Sequence, residues 1–357
     1  KGMKKLKIVS ISAEVHPYSK TGGLGDVARS LPKAFHRLGH EVIIITPFYA
    51  KVIDQGKFKL EKIFSNVKLN IDAKNEESVS YLRAELLPGL KVYFIGNEKY
   101  FSRHKKLYGS EHENARFYLF DIAALKLISL LKFKADIIHC HDWHSGLVPY
   151  LKQSRFKKSE TLSKAATVYT IHNLVFQLGH NWWEVPEKYK DKGTKTLPLF
   201  GDKKIEYINF AKRGILNADV INTVSETYAE EILQPSFGQD LHRILRNRKE
   251  NLFGIVNGID YKDYNPINDP NLVLNYDHKK IQRKKVNKER IQKLFNLKVD
   301  QYVPVLCTTS RVTYQKGFEL ILSTISNIMD MGAQLIVIGA GDKSYISEFM
   351  KLAKKYP

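Results

Sequence analysis

Lys20-Thr-Gly-Gly-Leu-Gly-Asp26 lies between two segments of different hydrophobic period. Before it, the apolar run Leu6-Lys-Ile-Val-Ser-Ile-Ser-Ala-Glu14 reads as a buried parallel strand. After it, Val27 to Leu38 places apolar residues at helical spacing. Gly22, Gly23 and Gly25 therefore sit in a strand-to-helix turn. Glycines there let backbone N–H groups approach a ligand, and the helix start adds partial positive charge. With the charge of Lys20 beside them, a diphosphate fits. A plain βα turn with a solvated lysine fits the same residues. Two familiar phosphate loops do not: Lys20 precedes the glycines instead of following them, and Gly23-Leu-Gly25 lacks the third glycine of G-x-G-x-x-G.

Outward from this turn, strand-like and helix-like segments alternate. Glu41–Thr46 is a second strand, closed by Pro47. Short alternating runs at Val67–Ile71, Val79–Leu86 and Lys91–Ile95 suggest an antiparallel insertion or sheet edge. A long helix from about Asn114 to Leu131 leads to strand Ala135–His139, helix His144–Gln153 and strand Ala166–Ile171. Helix Ile208–Leu216, strand Asp219–Val224, helix Glu226–Leu233 and a charged helical stretch Leu241–Glu250 follow. Such alternation predicts an α/β fold with a parallel sheet covered on both faces. The segment from Gly254 begins something new, with a Pro-, Asn- and Asp-rich loop over Tyr261–Pro270. A second α/β pattern then runs through strand Val303–Thr309, helix Gly317–Met331, strand Gln334–Ile338 and helix Ser344–Tyr356. The expected domains are 1–252 and 253–357. A doubly wound sheet has about five or six strands, so the second domain, with two clear ones, is expected to be incomplete.

The 357 residues are 43% hydrophobic and 11% aromatic, a globular composition. Lys and Arg number 57 against 37 Asp and Glu, a formal charge of +20. That suits an anionic substrate. No RNA-binding aromatic motif or zinc-finger spacing is present, and basic residues are scattered except over Lys279–Lys298, which reads as a helix with a solvated face. No specific nucleic-acid partner is expected. Cys140 and Cys307 fall far apart in expected strands, which argues for a reducing compartment, the cytoplasm. No signal peptide is expected, nor any membrane span, since no run reaches about 18 apolar residues. Lys1-Gly2 ahead of Met3 reads as a cloning remnant.

The chemistry-bearing motifs share one address. In a parallel α/β sheet, ligands bind beyond the carboxyl ends of the strands. Lys20–Asp26, His139-Cys-His-Asp-Trp-His144, Ile171-His-Asn-Leu174, Thr223-Val-Ser-Glu226, Asn257-Gly-Ile-Asp260 and Ser310-Arg-Val-Thr-Tyr-Gln-Lys316 all fall there. The histidine cluster invites a metal, but its order is H-x-H-D-x-H, and no nearby acidic or cysteine pair completes a ligand set. No metal is expected. Buried histidines, one or two of them used for sugar hydroxyls, are the reading preferred.

With these motifs in order, the chain resembles the bacterial glycogen synthase and plant starch synthase family. The match runs from Lys7 nearly to Pro357 through Lys20–Val27, His141-Asp-Trp-His144, His172-Asn-Leu174, Val256-Asn-Gly-Ile-Asp260 and Arg311-x4-Lys316-Gly. The resemblance implies a retaining glucosyltransferase of GT-B architecture, with two facing Rossmann-like domains. It would build α-1,4-glucan from ADP-glucose or UDP-glucose, with ADP preferred and no cofactor. Lys20 and the amides of Gly22 and Gly23 would bind the donor diphosphate; Arg311 and Lys316 would neutralise it as it departs. That cation pair would do the work a metal does elsewhere, because negative charge develops on the leaving group. His172 would hydrogen-bond the donor glucose. Asp142 and Asn257 would hold sugar hydroxyls or phosphate oxygens. Asp26 is read as a helix-start residue, and Asn173 as support. No enzymic nucleophile is assigned.

Two departures stand out. The family places glycine directly after the glutamine that follows H-N-L, whereas this chain has Gln177-Leu-Gly179. The family's later acidic loop, which grips the donor sugar, falls beyond Pro357, so this form is expected to be nearly inactive. Rival readings are another GT-B transferase, a basic non-catalytic protein that binds glucan or nucleic acid, and a nicotinamide dehydrogenase, which the glycine spacing disfavours.

Overall fold

The first strand, β1 (Lys7–Ile11), runs through the middle of the larger sheet, and its alternating side chains explain why. Ile8 faces one layer and Val9 and Ile11 the other, all buried. A strand apolar on both faces needs cover on both. The structure, a computed structural model, describes residues 4–357. Lys1-Gly2, read above as a cloning remnant, lies outside the described residues. The chain divides into two compact units, Lys1–Gly258 and Ile259–Pro357.

In the first unit, β1 is followed by α1 (Gly23–Arg37), β2 (Glu41–Pro47), β3 (Glu61–Asn70), β4 (Glu76–Leu87) and β5 (Leu90–Gly96). Next come α2 (Glu113–Leu130), β6 (Ile137–His141), α3 (Val148–Ser154), β7 (Ala166–Ile171), α4 (Phe210–Asn217), β8 (Val220–Thr223), α5 (Glu226–Glu231), α6 (His242–Asn247) and β9 (Leu252–Gly254). All nine strands form one sheet in the order β3-β4-β5-β2-β1-β6-β7-β8-β9, parallel from β5 to β9. β3 and β4 are the antiparallel edge, and β5 ties that edge to β2.

Two helices cover the centre. Ala28 of α1 packs with Ile8, Val42, Ile44, Val92 and Phe94 on one face. On the other, α2 buries fifteen of its eighteen residues against Val9, Ile11, Ile43 and Ile45. A helix that is apolar all round belongs in the interior. Each aliphatic side chain so buried stabilises the unit by about 1.5–3 kcal/mol. Glu113, Arg116 and Asp121 of α2 are ionisable side chains inside this layer, the first two paired with each other. Asp121 of α2 is fully buried and accepts the backbone N–H of Leu147 at 3.0 Å, at the start of α3.

Several expected boundaries shift. The strand expected over Leu6–Glu14 ends at Ile11, and residues 12–22 form a loop. The helix expected over His144–Gln153 is a 3-10 turn, Trp143–Ser145, followed by α3. Gly146 lies between them, where a Cβ would come within 2.2 Å of the Phe210 carbonyl oxygen. The domain boundary moves from 252/253 to 258/259, because β9 pairs with β8 and belongs to the first sheet.

The second unit contains α7 (Lys284–Leu294), β10 (Val305–Thr309), α8 (Phe318–Asp330), β11 (Gln334–Ile338) and α9 (Lys343–Lys355). β10 and β11 form a two-stranded parallel sheet. Phe318, Ile325 and Ile336 are buried, while Leu306, Leu320, Met331, Ile338 and Met350 are exposed. Both units are thus built on parallel βα units, as the sequence led us to expect.

Candidate functional site

β1, β6 and β7 are neighbours in the sheet, so the loops that follow them lie side by side. These loops carry Lys20, Asp142 and His172.

The loop after β1 is folded around a buried acid. Glu14 accepts hydrogen bonds from the Thr21 backbone N–H and from the Thr21 hydroxyl, the latter at 3.2–3.3 Å. Burial raises its carboxyl above the usual range, and the bonds from Thr21 and the Gly22 amide partly offset that rise. Sequence reasoning read Glu14 only as the end of a strand. A charged residue closing an apolar run just before a glycine turn was the available signal. Gly22 precedes α1 as its cap and makes no side-chain cap bond. A Cβ at Gly22 or Gly23 would meet nothing within 4 Å, so internal packing does not demand glycine there. The side of the turn that faces open space is the side a ligand can use.

Lys20 Nζ lies 2.6 and 2.8 Å from the two Asp26 carboxylate oxygens. Asp26, read as a helix-start residue, sits in the first turn of α1 and pairs with Lys20. Both side chains are partly exposed, and such a pair contributes only about 0–1 kcal/mol. An arriving anion can compete for the lysine.

At the end of β6, Asp142 adopts φ 56°, ψ −179°. This conformation is nearly confined to glycine and costs about 1–3 kcal/mol elsewhere. Hydrogen bonds to the neighbouring strand and its loop hold it. The Asp142 backbone N–H donates to the Thr170 carbonyl at 2.9 Å, and Oδ1 accepts the His172 backbone N–H at 2.8 Å; the Asn173 N–H also reaches the carboxylate. Burial raises the Asp142 carboxyl above its usual value, opposed by His172 and these amides. Asn173 has a further task, accepting the Val175 N–H at 3.1 Å in a turn.

Behind His172 stands a row of buried imidazoles. His141 Nδ1 lies 3.1 Å from His172 Nε2, and His141 Nε2 lies 3.3 Å from the Ser10 hydroxyl on β1. The His139 ring packs on His141 with centroids 4.1 Å apart. Thr170 donates its only hydroxyl hydrogen to Asn222 Oδ1 at 2.6 Å, so His139 Nε2, also 2.6 Å away, donates to Thr170. Burial, with a smaller contribution from His172, pushes His139 down to about 3; burial pushes His141 and His144 well below the usual imidazole value. These rings are neutral. His144 stacks between Tyr108 and Trp143. Among the described residues, no group of three or more His, Cys, Asp or Glu is arranged to hold a metal ion.

The remaining candidates are on other segments of the chain. Asn257 is exposed in the segment after β9, within the first unit. Arg311 and Lys316 belong to the second unit, both exposed, at the end of β10 and in the 3-10 turn Tyr314–Lys316. Gly317 then enters α8 at φ 71°, a conformation that favours glycine.

The family profile of the starch synthase catalytic domain matches residues 7–247. The chain is 37% identical to a glycogen synthase of Pseudothermotoga lettingae, covering 99% of this chain and 72% of that protein. It is 36% identical to a glycogen synthase of Desulforamulus reducens, with the same coverage. A solved structure of the catalytic domain of starch synthase IV from Arabidopsis thaliana, bound to ADP and acarbose, superposes with a TM-score of 0.85 at 29% identity. That match covers 99% of this chain and 72% of that one. The chain belongs to the glycogen synthase and starch synthase family.

Proposed function

We propose that the chain transfers glucose from ADP-glucose to the non-reducing end of an α-1,4-glucan, with retention of configuration. The observation that carries this reading is the convergence of Lys20, Asp142 and His172 on adjacent strand ends, with Asp142 strained into the one position that grips the His172 and Asn173 amides. Lys20 and the open side of the Gly22-Gly23 turn receive the diphosphate. His172, half-buried, presents its accessible surface to the donor sugar. Arg311 and Lys316 offset the charge that develops on the departing diphosphate, so that the reaction needs neither a metal nor another cofactor. ADP is preferred over UDP because the Arabidopsis relative was captured with ADP. The cytoplasm is the compartment we propose, in keeping with the free cysteines Cys140 and Cys307.

The test is glucosyl transfer to glycogen by the full-length gene product, with ADP-glucose and UDP-glucose compared and EDTA present. Incorporation from ADP-glucose that survives EDTA supports the reading. Transfer restored only by Mg²⁺ or Mn²⁺ overturns the cation-pair account, and no transfer from either donor overturns the function.

A further inference from the structure

His141 is fully buried, and both of its ring nitrogens have partners. Ser10, on β1, is buried too, and its hydroxyl lies 3.3 Å from His141 Nε2, which can accept its hydrogen or donate to its oxygen according to the ring's tautomer. A buried hydroxyl left unpaired costs about 1–3 kcal/mol, which favours donation to Nε2. The single proton of the neutral ring then sits on Nδ1 and points at His172 Nε2, 3.1 Å away. His172 Nε2 must accept, so the ring hydrogen of His172 lies on Nδ1. The His139 ring against the face of His141 keeps it from swinging away. Asp142, one residue on, holds the backbone of the same His172.

We propose that His141 is a positioning residue for His172: with Ser10 behind it, it fixes the His172 ring orientation and its Nδ1–H tautomer, so that Nδ1 is the donor offered to the sugar. This inference rests on the reading that His172 meets the donor glucose. A wrongly protonated or rotated imidazole still binds substrate but misplaces its hydrogen bond, and a displacement of about 1 Å can cost about a hundredfold in rate.

The experiment joins a spectrum to kinetics on the full-length protein. The ¹⁵N spectrum of histidine-labelled wild type is expected to show His172 protonated on Nδ1. Protonation on Nε2 overturns the proposal, and this readout needs no variant to fold. His141→Leu should lower kcat by about tenfold to a hundredfold, with the donor KM shifted by less than about threefold. His141→Asn, whose amide N–H lies where Nδ1 was, should recover part of the loss. A merely structural role would move stability, not this split or the tautomer. If His172→Ala is inactive while His141→Leu is unimpaired, the inference alone fails. If His172→Ala is fully active, the reading it rests on fails, and the inference with it.

Discussion

Asp142 Oδ1 accepts the backbone N–H of His172 at 2.8 Å, reaching from the end of β6 to the end of β7 out of a backbone conformation that glycine alone adopts without strain. The strained residue and the histidine it holds both belong to the proposed site.

Removing that carboxylate should therefore release the His172 loop. In Asp142→Ala, kcat/KM for the donor should fall by at least about 2–3 kcal/mol, the scale of a hydrogen bond to a charged group. Asp142→Asn keeps an acceptor oxygen and should lose less. Asp142→Gly relieves the backbone strain, so its thermal stability should match or exceed that of Asp142→Ala while its activity stays low. Steady-state kinetics and thermal melts on the three variants check this. Equal activity in Asp142→Ala and wild type would remove Asp142 from the site.

Lys20→Ala should cost at least about 2–3 kcal/mol of transition-state stabilisation, because its charge is aimed at the donor diphosphate. Loss of its pair with Asp26 accounts for little of that, since the pair is partly exposed. The measurement is kcat/KM for ADP-glucose, set beside Asp26→Ala, which frees the lysine and should cost less. An unchanged value in Lys20→Ala would falsify the role.

The first unit also depends on a buried ion pair away from these loops. Arg213 Nε and Nη2 each lie 2.9 Å from an Asp191 oxygen, with both side chains buried, and Nη1 donates to the Lys195 carbonyl at 2.7 Å. Arg213→Ala leaves Asp191 charged and buried, which costs about 3–5 kcal/mol. Chemical denaturation should show that loss. A change under about 1 kcal/mol would mean that the segment joining β7 to α4 is held some other way.

Much of this was legible in local pattern. The apolar runs of β1, β2, β6 and β7 and the long apolar helix α2 stand out because burial on both sides writes itself into consecutive residues. The placement of Lys20, Asp142 and His172 after adjacent strands was legible too, since loops after parallel strands must emerge at one end. What local pattern does not carry is pairing at long range. β5 joining β2, or the three-residue β9 joining β8, is decided by distant partners. The same holds within the site. Glu14 looks like a strand end until Thr21 folds back on it, and the left-handed turn at Asp142 makes sense only with the His172 amide in place.

Asp121 provides a pH test. Burial holds its carboxyl well above the usual value, opposed by the Leu147 and Val148 amides. A raised folded pKa means the native state binds the extra proton. The associated stability is fully present below the unfolded value of about 4 and is lost as pH rises toward the folded one. Asp121→Asn lacks this dependence and can still accept from Leu147. Its stability should be near that of wild type at pH 4 and should exceed it increasingly as pH rises to 7. A constant deficit across that range would contradict the assignment.

The most direct test of the account is the turnover of ADP-glucose by the full-length His172→Ala variant, with glycogen as acceptor and donor affinity measured in parallel. If His172 meets the reacting sugar, kcat should fall by about a hundredfold or more while ADP, which lacks the glucose, binds within about threefold of wild type. Wild-type turnover in this variant would contradict the account, because the residue that His141 and Asp142 hold at the end of β7 would have no part in the transfer.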